Sequence, residues 1–445
     1  MTSEPLSPTP PLQEAFHESD RARLLRWVPG LHLLQAFRLA TRWQNLALAF
    51  LGVMLLAGGR YGLSLLPFAS SAVSRFDEAD RSGKLLLSWT GSDQKEELRL
   101  PWEQQFLNPP LPATHEVLTA SRFPAARTLL TPFFDLLKPS AQLVQRRQSW
   151  ASLAYGVLHL LLILLIGSLV GGAIARRVAL EFCAGAEPSF RQSLASSLRG
   201  FPTAIGAPLI AFVGIGLLTL IGRIIAWTGR IPGTEGSVAA ALWGAVLLLG
   251  LVSALILVGV VAAWPLMVAA HSVEQTDAFD ALNRSYNYVF VRPWYAAGLW
   301  LSSLVYGLVV LTFLLALTGL TVHLAERIAG GPMSEESLAA IAFDAPEMVH
   351  PGIGAAAIDA PTTQRLGGMW YRGLAGVLTG FVYSYFWTVA TLIYLLLRRS
   401  ADGAELREVT RGHSGLSVGN PPLAGIAASA RREAERCTTP PSESA

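Results

Sequence analysis

Six apolar runs, each about long enough to cross a bilayer as a helix, constrain this chain more than any other feature. They extend from about Leu46 to Leu66, Trp150 to Gly172, Thr203 to Gly222, Val238 to Trp264, Trp294 to Leu320 and Gly373 to Leu397. A hydrocarbon core about 30 Å thick needs roughly 20 apolar residues in a helix. In lipid every backbone N–H and C=O has to be paired within the protein, so each run has to be helical. The runs do not alternate apolar and polar residues as the strands of an outer-membrane barrel do. The expected fold class is therefore all-α: a polytopic transmembrane helical bundle of about six spans, with two interfacial amphipathic helices and a small exoplasmic loop region.

Composition agrees. Of the 445 residues, 52% are hydrophobic and only 15% charged, against about 25% charged in an ordinary soluble domain. The net charge of +3 is too small to point to a nucleic-acid partner. The two cysteines, Cys183 and Cys437, are far apart, which excludes a disulfide framework and a zinc site built on Cys pairs.

Arginine placement sets the expected orientation. Arg26, Arg38 and Arg42 precede the first span, Arg176 and Arg177 follow the second, Arg199 precedes the third, and Arg398 and Arg399 close the sixth. All fall on one side if both termini are cytoplasmic in a bacterial inner (plasma) membrane. Arg223 and Arg230, in the loop after the third span, count against this. Trp43, Trp150, Trp227, Trp264, Trp294, Trp370 and Tyr371 flank spans as an interfacial belt would.

The chain then divides as follows. Residues 1–45 are a cytoplasmic segment, partly disordered; 46–66 form the first span; 67–149 form an exoplasmic loop or small cap. In that loop Lys84–Trp89 and Glu97–Trp102 read as two strands, and prolines including Pro132 and Pro139 break up the rest. Residues 150–397 carry five spans, with elbows at 188–201 and 276–291 and an acidic exoplasmic loop at 321–369. Residues 398–445 are a disordered tail.

Both elbows have helical apolar spacing: Phe190, Leu194, Leu198 and Phe201 in the first, Phe279, Leu282, Tyr286 and Val289 in the second. Each ends at a proline, Pro202 or Pro293, that is expected to open the next span. In the second, Asp280 and Arg284 lie four apart and can pair along a helix. Span, elbow, span therefore occurs twice, a faint internal repeat.

The stretches Trp264-Pro265-Leu266-Met267, Asp277 through Pro293, Tyr383 through Thr388 and Ile393 through Arg399 resemble a group of uncharacterised bacterial multi-pass membrane proteins. The core Ala281-Leu282-x-Arg284-Ser285-Tyr286 is similar to the six-helix membrane domain found beside some glycerophosphodiester phosphodiesterases, which tends to have Trp where this chain has Tyr286. These 445 residues carry no phosphodiesterase domain. The resemblance implies a location and an architecture, not a reaction.

Sites of chemistry are scarce. No Walker loop, H-E-x-x-H or G-x-S-x-G motif stands out. Gly352-Ile-Gly354-Ala-Ala-Ala357 follows no strand and is discounted. The best candidate for a divalent metal is Asp344, Glu347 and His350, with His323, since Glu and His three apart can share one helical face, but Pro346 and Pro351 work against that helix and an ordinary solvated acidic loop explains the residues, so no metal and no cofactor are expected. His159 lies near the middle of the second span, where ionisable groups are rare and often functional. Arg60 lies near the outer end of the first span and can snorkel to the headgroups. The candidate functional residues are His159, Asp277, Asp280 and Arg284, with no catalytic assignment.

The expected function is that of a non-catalytic scaffold or partner subunit of a membrane assembly, with the lipid bilayer and membrane proteins as partners. A transporter or permease subunit with a polar path through the bundle is the alternative. A lipid-modifying enzyme acting at the elbow is the third reading.

Overall fold

A computed structural model describes residues 29–67, 128–144, 149–230, 236–329, 333 and 362–402. The two expected strands, the Asp344, Glu347 and His350 group, and Cys437 lie outside these residues.

The protein is an all-α polytopic bundle. Among the described residues, six helices are long and apolar enough to cross a membrane. In chain order the α-helices are α1 (Gln35–Ala40), α2 (Trp43–Ser64), α3 (Thr131–Val144), α4 (Trp150–Ile166), α5 (Gly172–Ala184), α6 (Phe190–Trp227), α7 (Ser237–Ala241), α8 (Trp243–Glu274), α9 (Ala278–Val291), α10 (Pro293–Ala329) and α11 (Thr362–Asp402). A π-helical segment, Gly167–Gly171, joins α4 to α5.

Local chemistry starts several of these helices. Ser149 caps α4 by accepting from Ser152 N. Ser189 and Gln192 form a reciprocal capping box at the start of α6. Asp277 caps α9 by accepting from Asp280 N at 3.0 Å. Gly185 ends α5 in the left-handed region at φ +62°, where a glycine carries no Cβ penalty.

α11 is the central post. Of its apolar window 94% is buried, against 11% for α8 and for α10. Tyr394, Leu392, Ile393 and Val382 of α11 are fully buried. α2, α5, α8 and α10 all pack on it. The outward row Leu301, Val305, Val309, Phe313, Leu317 and Leu320 of α10 is exposed, as a face covered by lipid would be. The small residues serve internal packing. Gly167 and Gly171 face the Trp264 and Trp387 rings, and Gly376 and Gly380 face Phe50.

Four features add to or differ from the sequence reading. First, Pro29–Ala40 is packed against the bundle: Leu33, Ala36, Leu39 and Ala40 are buried, Ser384 Oγ donates to Ala40 O at 2.7 Å, and Phe37 meets Phe381. Second, part of the 67–149 loop is a helix. α3 takes Pro132 in its first turn and carries Pro139 inside, and Leu136 is 1% exposed. Third, the first elbow is no separate element. It is the start of a 38-residue α6 that runs through Pro202 and Pro208. Each interior proline costs about 3 kcal/mol relative to alanine, and around them Ala204, Ala207, Pro208 and Ala211 are buried in the bundle. At Pro293 the chain does break, because Arg292 adopts φ −132° and ψ 61°. The two span–elbow–span units are therefore not alike.

The fourth concerns arginines read as flanking charges. Arg176 and Arg177 are buried, at 6% and 1% exposure. Arg176 donates to Ser272 O and Val273 O, both at 3.1 Å. These are terminal carbonyls of α8, which lack intrahelical partners and carry the negative end of the helix dipole. Arg177 donates from Nε to Asn45 Oδ1 at 2.8 Å and from a terminal nitrogen to Pro188 O. Asn45 Nδ2 in turn donates to Leu39 O at 2.8 Å. Arg42 pairs with Glu181 at 2.7 Å and with Glu187.

His32 packs edge-on against Phe182, 5.7 Å between ring centroids, and neither ring nitrogen has a hydrogen-bond partner in the protein. Burial, with a smaller effect from Arg399, holds its pKa below the ordinary value. The neutral ring is the folded form. Stability is therefore full above the ordinary value of about 6.5 and falls as the pH drops below it. His32→Leu is expected to be neutral or stabilising by up to about 1 kcal/mol and to flatten that acid limb in thermal melts. A steeper limb in the variant would contradict this.

Candidate functional site

The second elbow forms as a helix, and its polar residues converge on a group that the sequence did not single out. Asp277 is taken up in capping. Asp280 accepts from Arg284 Nε at 2.9 Å. Arg284 also reaches Glu274, the last residue of α8, at 2.5 Å. The Glu274 side chain is only 9% exposed, and it accepts from Tyr394 Oη of α11 at 2.6 Å and pairs with Arg398 at 3.0 Å. Tyr288 Oη donates to Asp402. One carboxylate thus fastens α9 to both α8 and α11. The hydrogen bond to Asp280, and then the charge of Glu274, hold the Arg284 pKa above its ordinary value. Burial, then the bond to Asp402, raises that of Tyr288.

The buried face of α9 is rotated from the expected stripe. Ala281, Ser285 and Tyr288 are buried, Leu282, Tyr286 and Val289 are half-buried, and Phe279 is exposed. Tyr286 lies over Gly259 and donates to Ile256 O at 2.8 Å, and burial pushes its phenol up to about 12. Asp277, Asp280 and Arg284 are all engaged in holding the elbow, an arrangement suited to fastening rather than to acid–base work.

The turn from α8 into α9 is tightly held. Gln275 takes φ +57°, and its N–H donates to His271 O at 2.8 Å. His271 Nδ1 is 2.7 Å from Thr276 O, so Nδ1 is the donor and Nε2 the acceptor in the neutral ring. Nε2 abuts Gly200 of α6, where no Cβ could fit.

His159 belongs to a second polar group, inside the bundle. It is 4% exposed and lies against the Tyr155 ring, with centroids 5.8 Å apart. Nearby, α3 brings Asp135 to Arg60 of α2 at 2.5 Å, and Tyr383 Oη of α11 donates to the other carboxylate oxygen. Arg60 is thus an interhelical ion-pair partner, where headgroup snorkelling had been expected. His159 is close enough to Arg60 and Asp135 to feel both charges. Asp135 was missed because nothing in a proline-rich loop marks a segment that folds back among the spans. Its one signal was the apolar helical spacing around it, Phe133, Leu136 and Leu137.

Asp135 and Tyr383 border a narrow cavity lined otherwise by apolar residues including Gly52, Gly167, Val170, Trp264 and Trp387. A second, smaller cavity on another side of the π segment is lined by Ser168, Arg176, Ser197, His271, Ser272 and Gln275. Ser197 Oγ donates to Leu169 O at 2.5 Å. Two buried polar atoms at these cavities, Trp264 Nε1 and Ser168 Oγ, have no hydrogen-bond partner in the protein. Single-turn π segments often mark functional positions in long helices. Among the described residues no group of three or more His, Cys, Asp and Glu could hold a metal ion. No protein-family model, curated protein or solved structure matches this chain.

Proposed function

We propose that the chain is a multi-pass protein of the bacterial inner membrane, with both termini cytoplasmic, serving as a non-catalytic scaffold or partner subunit of a membrane assembly. One observation carries this reading: the charged groups inside the bundle are taken up in joining helix to helix. Glu274 gathers α8, α9 and α11, Arg176 caps α8, and Asp135 joins α3 to α2 and α11. The cavities between them are narrow, whereas a solute carrier needs a substrate-sized polar site near the midplane. A lipid-modifying enzyme needs a nucleophile or base free to meet substrate, and the elbow residues are engaged with one another.

Exposed Arg38, Arg191, Arg199, Arg292 and Arg399 support the orientation through the positive-inside tendency, now without Arg176 and Arg177. Reporter fusions at Pro109 and after Arg436 should read opposite sides, the second cytoplasmic. The same side for both would refute the topology.

The scaffold reading is tested by purifying the chain from native membranes into lipid nanodiscs. A membrane protein co-purifying in fixed stoichiometry, lost when α9 is disrupted, is expected. A chain isolated alone that drives solute flux in proteoliposomes would replace this reading with the transporter one, which the intramembrane Asp135 favours.

A further inference from the structure

Two exposed arginines stand apart from the ion pairs that fasten the bundle. Arg292 lies at the break between α9 and α10, and Arg399 lies in the last turn of α11. Arg292 donates to Ser400 Oγ at 2.5 Å, which holds both arginines at one junction of α10 and α11. Tyr295, in the first turn of α10, is close enough to Arg399 and Arg292 to feel both charges. Among the described residues neither arginine pairs with a carboxylate. The acids at this end are already engaged: Glu274 holds Arg284 and Arg398, and Asp402 accepts from Tyr288. Two like charges are thus kept near one another with no paired counter-charge among the described residues.

The surface around them has the character of a membrane boundary. Val291 and Trp294 flank Arg292 and are 62% and 89% exposed, and an exposed tryptophan suits the headgroup level. Further along α10 come Gly298, with open space around it, and the exposed Leu301 and Val305. Their three- and four-residue spacing from Trp294 puts them on one helical face. The glycine leaves a slot beside the indole that the apolar row continues. A guanidinium pair at one end of an apolar slot matches a molecule with a phosphate at one end and hydrocarbon at the other. Arginine binds phosphate oxygens in a bidentate fork, and basic pockets between membrane helices take anionic headgroups. The pair also selects among phospholipids. A choline headgroup carries a cation that would meet the second arginine, whereas a glycerol headgroup carries none.

We propose that Arg292 and Arg399 form a binding site for the phosphate of an anionic phospholipid, whose acyl chain lies along Trp294, Gly298 and Leu301 of α10. The proposal rests on the membrane-spanning architecture and not on the scaffold reading. The lipid preference can fail while co-purification of a partner stands, and the reverse.

The test uses the full chain in detergent micelles, read by native mass spectrometry. It is titrated with phosphatidylglycerol, with phosphatidylcholine of the same acyl chains, and with glycerol 3-phosphate as the free headgroup. The parent is expected to retain phosphatidylglycerol in preference to phosphatidylcholine, and not to retain glycerol 3-phosphate at the same concentrations. Arg292→Gln and Arg399→Gln should each lower that preference about fivefold, and together about thirtyfold, the effect of one and two basic residues at an anionic membrane surface. Arg292→Lys with Arg399→Lys should keep most of it. Arg191→Gln with Arg199→Gln removes two exposed arginines of α6 and should leave the preference unchanged. Should the double glutamine variant fail to fold, Arg399→Gln decides alone, since Arg399 makes no hydrogen bond or ion pair among the described residues. A parent without preference, an unchanged preference in Arg399→Gln, or glycerol 3-phosphate bound as tightly as the lipid overturns the proposal. So does an equal loss in the α6 variant, which would mark a diffuse surface charge and no site.

Discussion

Glu274→Ala is expected to cost about 3–5 kcal/mol, because it leaves two arginines and a tyrosine without their shared buried acceptor. Arg284, Arg398 and Tyr394 all converge on this carboxylate, from α9 and α11, at 2.5, 3.0 and 2.6 Å. The loss should appear as a sharp fall in folded yield in membranes and in the midpoint of thermal unfolding in detergent. Asp280→Asn is the informative control. Its bond to Arg284 is a half-exposed pair within one helix, worth about 0.3–0.5 kcal/mol, and Glu274 still holds the arginine in that variant. If Asp280→Asn were as damaging as Glu274→Ala, the fastening would depend on the elbow's own pair. If Glu274→Ala melted like the parent, the fastening itself would be wrong. Replacing Glu274, Arg284 and Arg398 together by leucine should recover part of the loss, since the unpaired charges, not the missing bond, dominate the penalty.

Gly171→Ala is expected to destabilise by about 1–3 kcal/mol through overpacking. A Cβ at this position would run into the Trp387 ring on the central helix, and Trp387 has little freedom to move, wedged as it is against Trp264 and Phe386 with centroids 5.3 and 5.1 Å apart. Gly373→Ala, on the same central helix but with open space around it, should be neutral or stabilising by up to about 1 kcal/mol from helix propensity. Combining Gly171→Ala with Trp387→Leu should cost less than the two changes summed, because the smaller side chain relieves the clash. Strict additivity would mean that the two residues do not meet.

Much of the architecture was legible because membrane helices are specified locally. A run of about 20 apolar residues in lipid has no alternative to the helix, so the six spans follow from the chain itself. The elbow α9 was legible for the same kind of reason: Asp277 marks its start, Pro293 its end, and Asp280 and Arg284 lie one turn apart. What could not be read was which polar group would meet which across the bundle. Arg176 and Arg177 carry the same local signal as snorkelling interfacial arginines, yet they serve the α8 carbonyls and Asn45 because α5 happens to cross those elements. Glu274 is one carboxylate at the end of an apolar run until Tyr394, Arg398 and Arg284 arrive from two other helices. α3 looked like proline-broken loop because its helicity depends on the cleft between α2, α4, α10 and α11, where Phe133 and Asp135 find partners. Span identity is set by hydropathy over consecutive residues, a property of the chain alone. The pairing of buried charges is set by distances between residues up to 248 positions apart, as for Tyr383 and Asp135, and those distances exist only once the helices have packed.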